Sequence, residues 1–489
     1  MNNFWTQILK RRIFLKKFFS LSRPLTDPKY FLESEYYLKS FDKFIRSTRV
    51  TRPKMNSTDL RTLTDDDEDD GINDENIIDG EEPIIILNWY DNRYDNKSKE
   101  FLSFDYGRNW KGYKYLYQSS PSCGSCWFTN DRNFEKRADS ILIDNTQFPS
   151  VNSDVPNTVN RTQNQYWVFW GRESATKGFD TIGKFVEPDR FGNILDSSYN
   201  LTTSYRSDSD IPYHPKIDDI LVQTRYQDGE IEVDNDDEYL EKILKNKFTL
   251  EENRNYAAWL VSNCDNTPGA VARLEMSKRM KKAGINFDGY GKCFEDNFQN
   301  FKNRHYKKGE LDRGHRWRGH SEDNISQYLS KYKFYFAFEN AMHCNDYLSE
   351  KFWRNSLETE LVPIVYGVHK MDLERLAPPN SYIYVDDDTD LEKLAKDLFR
   401  LHKNDEAYMK YHEWRRLKPD FSKVYSDIVH SATGKSSYGH VTEVNRKCGL
   451  CQMMREKKKL EYPKKMIKSV STYWWLDLHD ESCLGIKKP

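Results

Sequence analysis

Residues 332–367 read YKFYFAFENAMHCNDYLSEKFWRNSLETELVPIVYG, and this run narrows the fold more than any other part of the chain. Tyr332 to Phe338 has the aromatic and apolar composition of a buried strand, and Leu361 to Tyr366 is a second apolar run closed by Gly367. A polar loop and a charged helix lie between them. The pattern predicts a helix from Asp346, which would put Tyr347, Glu350, Lys351 and Arg354 on one face near its start. A strand, a loop and a helix start rich in polar and cationic groups is a general way for an α/β protein to hold a phosphorylated ligand. The same local spacing also suits a surface helix with Glu350 and Arg354 as an exposed salt pair.

Residues 1–82 lack a sustained hydrophobic pattern and contain TDDDEDDGINDENIIDGEE, an acidic run that stays solvated. They read as a largely disordered stem. At Pro83 the character changes. PIIILNWY is a buried strand, FTNDRNFEKRADSILIDN is a turn, a short helix ending near Ala138 and a strand at Ser140 to Ile143, and QYWVFWGRES is strand to loop. This alternation marks a doubly wound domain over 83–247. A charged helical segment around Glu241 to Asn255 leads to a second domain over 248–430, which opens with AAWLVSN, AVARLEMSKRMKKAG and INFDGYGKC as a βαβ unit. Residues 431–489 form a tail.

The 489 residues are enough for two domains with cores of their own. A formal charge of -2 argues against a nucleic-acid partner. With 31% charged and 14% aromatic residues and a mean hydropathy of -0.89, the composition is that of a soluble protein whose Tyr and Trp suit both core packing and sugar faces. No segment reaches the roughly 18 apolar residues that span a bilayer. The start, MNNFWTQILKRRIFLKKFFSLS, carries five cationic residues before Ser20 and reads as an interfacial or targeting helix.

Eight cysteines include Cys-x-x-Cys pairs at Cys123/Cys126 and Cys448/Cys451. In a reducing compartment these would suggest structural zinc, and in an oxidising one disulfides. Cys264 and Cys293 each end a motif, SNC and YGKC, on expected neighbouring strands, and are candidates for a further bridge. Sequons at Asn56, Asn96, Asn160, Asn200 and Asn324 permit a secretory route without proving it.

The block FENxxxxxDYxxEKxxRNxLxxxxVPxVxG closely resembles the donor-binding signature of the α-1,3-fucosyltransferases. CWFTNDRNFEKRADS, SYRSDSDI, LVSNC, DGYGKC, this block, YHEWRR and the late Cys-x-x-Cys occur in that family's order, so the resemblance covers roughly residues 83–480. It implies two Rossmann-like domains facing across a cleft, the type B glycosyltransferase fold, with the tail returning to the first domain. It also implies disulfides tying Cys123 and Cys126 to Cys448 and Cys451, and a place in the Golgi lumen. Membrane association would then rest on the basic N-terminal helix or on partner proteins.

The implied reaction moves fucose from GDP-fucose with inversion, for which one carboxylate as base suffices. Glu173, in WVFWGRESATKG, matches the glutamate of the family motif WVxxxxESP, with Ala175 where proline is usual. Local sequence alone would equally leave Glu173 as a loop carboxylate beside Arg172. By the same resemblance Arg273 and Lys351 meet the diphosphate, Glu350 the ribose and Tyr347 the nucleotide, while Glu339 and Asn340 line the fucose side. No Asp-x-Asp metal motif is seen and no tightly bound cofactor is implied, with stimulation by Mn or Mg left open. Asp386, Asp387 and Asp388 read as helix caps. Arg206 and Asp210 of SYRSDSDIP read first as structural partners, and His214 departs from the family pattern. Thr359 and Glu360 replace a usual Ala-Gly. SNC with DGYGKC resembles core-type enzymes of plants and invertebrates, which points to a GlcNAc of the N-glycan core of a glycoprotein as acceptor. A Lewis-type activity on N-acetyllactosamine and a non-catalytic glycan-binding protein remain the alternatives.

Overall fold

The computed structural model describes residues 61–62, 84–89, 92–95, 100–105, 108–111, 115–119, 121–144, 156, 160–171, 173–174, 198–212, 214–227, 230–231, 235–249, 255–265, 267–294, 329–425, 441–460 and 467. Apart from Arg61 and Thr62, the expected stem lies outside these residues, as do Asn56, Asn96, Arg172, Ala175 and Asn324. All described residues belong to one compact unit, Asp59–Pro489.

The first lobe is one sheet of eight strands. Its strands are β1 (Arg61–Thr62) and β2 (Ile85–Asn88), then, beyond a separate antiparallel sheet of β3 (Asn92–Asp95), β4 (Glu100–Asp105) and β5 (Arg108–Lys111), β6 (Tyr115–Gln118), β7 (Trp127–Thr129), β8 (Ser140–Asp144), β9 (Tyr166–Gly171), β10 (Leu201–Ser204) and β11 (Ile211–Pro212). The order is β1-β6-β7-β2-β8-β9-β10-β11, parallel from β7 to β11 and antiparallel at the β1-β6-β7 edge. The central β9, YWVFWG, is buried along its whole length, as a parallel strand covered on both faces must be.

Helix α1 (Ile217–Arg225), the short pair β12 (Tyr226–Gln227) and β13 (Glu230–Ile231), and α2 (Asp236–Lys245) lead to the second lobe. There β14 (Ala257–Leu260), α3 (Pro268–Lys282), β15 (Phe287–Tyr290), β16 (Phe334–Phe338), the short α4 (Glu350–Phe352), β17 (Val362–Tyr366), α5 (Lys370–Leu376), β18 (Ile383–Val385), α6 (Leu391–Lys403) and α7 (Asp405–Met409) follow. The sheet is wholly parallel in the order β15-β14-β16-β17-β18. That is the 2-1-3-4-5 order of a doubly wound sheet. Its ligand crevice opens where the winding reverses, at the carboxyl ends of β14 and β16.

A shared apolar cluster holds the lobes together. Trp89, Trp167, Phe169, Tyr199 and Tyr205 of the first lobe pack with Ala341, Cys344 and Tyr347 of the second. The fold is therefore the two-lobed, Rossmann-like arrangement of a type B glycosyltransferase, with the crevice of the second lobe turned toward the end of β9.

Several local details differ from the sequence reading. The helix after β16 does not start at Asp346, which has φ 61° in the left-handed region. It starts at Glu350, with Ser349 as N-cap, and continues as one π-helical turn, Trp353–Leu357. Tyr347 therefore precedes the helix and does not share its face. The run Asp386–Asp388 does not cap α6; Asp390 does, accepting the Lys393 N–H at 3.0 Å. Asp387 instead accepts from the Tyr366 hydroxyl at 3.0 Å. Arg206 and Asp210 do not pair with each other. Arg206 grips Asp208, while Asp210 accepts the Thr202 N–H at 2.8 Å and closes the β10–β11 turn. Asn200 is 1% exposed, and its side-chain oxygen accepts from Trp167 N and from Arg161, so the folded chain has no room for a glycan there. Asn160 is half-buried, with Nδ2 3.5 Å from Glu135 Oε2.

The change at 359–360 has a structural account. Glu360 takes φ 60°, a conformation that favours glycine, and its carboxylate accepts the Tyr239 hydroxyl at 3.0 Å. Thr359 Oγ1 donates to the Asn355 carbonyl at 2.8 Å, serving the end of the π turn.

Helix α8 (Val441–Leu460) is bonded to the first lobe through Cys123–Cys448 and Cys126–Cys451. These sulfurs are therefore not zinc thiolates. Cys264–Cys293 joins the ends of β14 and β15, and Cys344, absent from the sequence candidates, is also disulfide-bonded. Gly124, at φ 106°, is required between the paired cysteines, since a Cβ there would sit 2.7 Å from Cys451 Sγ. Arg455 donates to the Gly124 and Ser125 carbonyls and Gln452 to Ser122 O.

Either α8 bridge closes a loop of 325 residues, worth about 6 kcal/mol in unfolded-chain entropy, whereas the second adds only a small ring. Replacing Cys123 with Cys448, or Cys126 with Cys451, by alanine should each cost less than half of what replacing all four costs. Denaturant unfolding of the three variants measures this, and additive losses would mean that each bridge acts only through local packing.

Candidate functional site

Three chain segments converge where β9, β14 and β16 end. Glu173 lies two residues beyond β9 and is half-buried. Glu339 and Asn340 follow β16 directly. Tyr347, 3% exposed, bridges the two sides: its hydroxyl is 2.9 Å from Asn340 Oδ1 and 3.3 Å from Glu173 Oε2, and donates its one proton between them. Burial first, and then the charges of Glu173, Glu339 and Glu350, push the Tyr347 hydroxyl well above its usual range, so it remains a donor. Its ring meets Tyr205 edge-on at 4.9 Å.

Glu339 is fully buried and receives three hydrogen bonds, from Ser349 N at 2.8 Å, Ser349 Oγ at 2.8 Å and Lys351 Nζ at 3.2 Å. Burial pushes its carboxyl up, and the Lys351 charge and the Ser349 donors act against that. Lys351 Nζ also donates to Ser349 Oγ at 2.8 Å and to Glu350 Oε1 at 3.2 Å. Burial alone would lower the ammonium, but Glu339 and Glu350 reverse that and hold Lys351 above its usual range. The Glu350 side chain is 52% exposed, so its ion pair is the solvent-facing one of the two.

Arg273, on α3, is 2% exposed. Its Nη1 donates to Phe338 O at 3.0 Å and its Nη2 to Asn263 O at 2.6 Å, which ties together the carboxyl ends of β14 and β16. Its Nε is buried without a hydrogen-bond partner. Burial lowers the guanidinium, and Glu339, Tyr347 and Glu350 counter this. The sequence reading gave Arg273 to phosphate; the structure gives both its terminal nitrogens to backbone carbonyls of the crevice.

All seven expected site residues thus lie in one electrostatic cluster: Glu173, Arg273, Glu339, Asn340, Tyr347, Glu350 and Lys351. Thr267 and Ser349 were missed. Thr267 caps α3 by accepting Ala270 N at 3.0 Å and donates to Asn340 O at 2.6 Å. A Thr-Pro pair opening a helix is a readable cap signal, with Pro268 at the first helical position. Ser349 before Glu-Lys is a weaker signal of the same kind. Among the described residues no group of three or more His, Cys, Asp or Glu could hold a metal ion.

The chain matches two family models: "Glycosyltransferase family 10 (fucosyltransferase) C-term" over residues 250–474 and "Fucosyltransferase, N-terminal" over residues 81–215. It is 31% identical over 305 residues to a 4-galactosyl-N-acetylglucosaminide 3-alpha-L-fucosyltransferase of Hylobates lar, covering 61% of this chain and 65% of that protein. A relative of the same description from Pan troglodytes is 30% identical, covering 62% and 68%. A 3-galactosyl-N-acetylglucosaminide 4-alpha-L-fucosyltransferase of Pongo pygmaeus is 30% identical, covering 62% and 66%. The chain thus spans about two thirds of the length of these curated relatives.

The close approach of α3 to the crevice yields a direct test. A Cβ at Gly269 would lie 2.5 Å from Asn340 O and 2.8 Å from Ala341 N, both backbone atoms that cannot swing aside. Gly269→Ala should displace Asn340 and lower stability by about 1–3 kcal/mol in denaturant unfolding, the usual cost of overpacking. Unchanged stability would show that α3 can move away from Asn340 without cost.

Proposed function

Because the chain belongs to glycosyltransferase family 10, the fucosyltransferases, we propose that it transfers L-fucose from GDP-fucose to the 3-hydroxyl of a GlcNAc, with inversion. The observation that carries this reading is the hydrogen bond from Tyr347, in the donor block, to Glu173 at the end of β9. It sets a carboxylate of one lobe against a polar crevice of the other.

In the proposed reaction Glu173 takes the proton of the acceptor hydroxyl as its oxygen attacks the anomeric carbon of fucose. The bond from that carbon to the β-phosphate oxygen breaks, and its electron pair leaves with GDP. The carboxylate is held by the Tyr347 hydroxyl, which fixes its orientation before substrate arrives. Glu339 and Asn340 would face fucose, Glu350 the ribose, and Lys351 the diphosphate. Arg273 Nε is the remaining donor of a guanidinium otherwise spent on the crevice walls.

For the acceptor we favour a GlcNAc of an N-glycan core, on the SNC and DGYGKC motifs, whose cysteines form one bridge. A second reading, N-acetyllactosamine, is favoured by the acceptor named for the Hylobates lar and Pan troglodytes relatives. The disulfides fit an oxidising compartment, for which we propose the Golgi lumen. Among the described residues no helix is long and apolar enough to cross a membrane.

GDP release from GDP-fucose, measured with a core glycopeptide and with N-acetyllactosamine in separate reactions, decides between the acceptors. Release with the core alone is expected; release with lactosamine alone would transfer the proposal to the second reading. Release with neither, despite GDP binding, would leave a glycan-binding protein. Glu173→Gln should keep GDP affinity while slowing transfer by about 10²-fold or more. Unaltered turnover would remove Glu173 from the base role.

A further inference from the structure

The lobes touch at a second polar contact one residue from the Tyr347 bridge. Asp346, in its left-handed conformation, donates its N–H to Asp372 Oδ2 at 2.8 Å. One of its carboxylate oxygens accepts the Ser207 N–H at 2.7 Å, and the other accepts from Arg375 Nη2. Arg375 Nη1 returns to Ser207 Oγ at 2.9 Å, and Nη2 also reaches Asp372 Oδ1 at 3.3 Å. Ser207 belongs to the first lobe, in the turn after β10. Asp346, Asp372 and Arg375 belong to the second.

We infer that Asp346 and Arg375 are positioning residues: with Ser207 they clasp the two lobes and set the distance between Glu173 and the donor crevice. Asp346 and Tyr347 are consecutive, so one short backbone segment meets the first lobe at two points, Ser207 and Glu173. Tyr205, two residues before Ser207, packs on the Tyr347 ring and ties these points together. Beneath the clasp His214 lies near Tyr205 and Asp346 with its buried Nε2 lacking a hydrogen-bond partner, and burial holds the ring neutral, near pKa 4. Among the described residues the donor crevice is built from the second lobe, by Arg273, Glu339, Asn340, Ser349 and Lys351. Loosening the clasp should therefore leave donor affinity intact and misplace the base.

The inference rests on the fucosyl-transfer reading. Its test uses Arg375→Met, which keeps the stem and removes the guanidinium, and Asp346→Asn, since asparagine tolerates the left-handed conformation and still accepts from Ser207 N–H. Both should bind GDP within about twofold of the unmodified chain while kcat for transfer falls about tenfold, as a small displacement of a reacting group can do. Arg375→Lys should recover part of the loss, and Ser207→Ala, which removes only the hydroxyl contact, should lower kcat by less. Retained GDP affinity also certifies that the variants are folded. Transfer by the unmodified chain with equal kcat in both main variants would overturn the clasp alone, as would a parallel loss of GDP affinity. No transfer by the unmodified chain would overturn the parent reading and the clasp together.

Discussion

The donor block is organised around one buried negative charge. Glu339 has no contact with solvent and is stabilised by two donors of Ser349 and the ammonium of Lys351. Removing one partner of a buried pair leaves an uncompensated charge at a cost of about 3–5 kcal/mol. The chain must therefore bring residue 349 back to residue 339 before a helix can begin. Asp346 and His343, with φ 61° and 55°, make the turns this return requires. The helix start, the N-cap and the direction of Lys351 all follow from satisfying Glu339.

The same return path brings the lobes together. Ala341, Cys344 and Tyr347 lie on it and complete the apolar cluster of the first lobe, so that lobe's core is not closed by its own sheet. Tyr347 reaches Glu173 only because residues 341–348 are spent on the loop and not on a helix. On the other face of the first sheet, α8 supplies Leu450, Cys451 and Met454 to a second cluster and is fixed there by disulfides. One lobe thus depends on segments from later in the chain on both faces.

This dependence explains what the sequence made legible. The strands were readable because each is a compact apolar run: FYFAF, VPIVY and YWVFWG appear within two residues of their expected limits. The pairing of Cys123 and Cys126 with Cys448 and Cys451 was readable only through family resemblance, whereas Cys264–Cys293 was readable from its place at the ends of neighbouring strands. The helix start at Asp346 was misread because the i, i+3, i+4 pattern is blind to a buried carboxylate ten residues upstream that claims the backbone of Ser349. Arg273 was legible as a crevice residue but not as one whose terminal nitrogens serve carbonyls, because those partners, Asn263 and Phe338, meet only in the folded sheet. Asn200 fits a sequon perfectly; only the packing of β9 against β10 reveals its side-chain oxygen as a backbone partner. In each case the deciding partner is distant in sequence.

The crevice poses an electrostatic question for any diphosphate ligand, because its cations already have partners. Lys351 and Arg273 face Glu173, Glu339 and Glu350, two cations against three carboxylates. An incoming anion can meet the unpartnered Arg273 Nε, but to reach Lys351 it must displace one of three contacts, and these are not equivalent. The pair with Glu339 is buried, and giving it up would strand a charge in low dielectric. The pair with Glu350 is half exposed, where an ion pair contributes about 1 kcal/mol or less. Exchanging Glu350 for phosphate on Lys351 is thus the inexpensive step, and it frees the Glu350 carboxylate to accept from hydroxyl groups of the same ligand. A nucleotide sugar offers both a diphosphate and a ribose, so under the proposed function the weaker ion pair is where such a ligand would enter, while the stronger one would keep the pocket in shape.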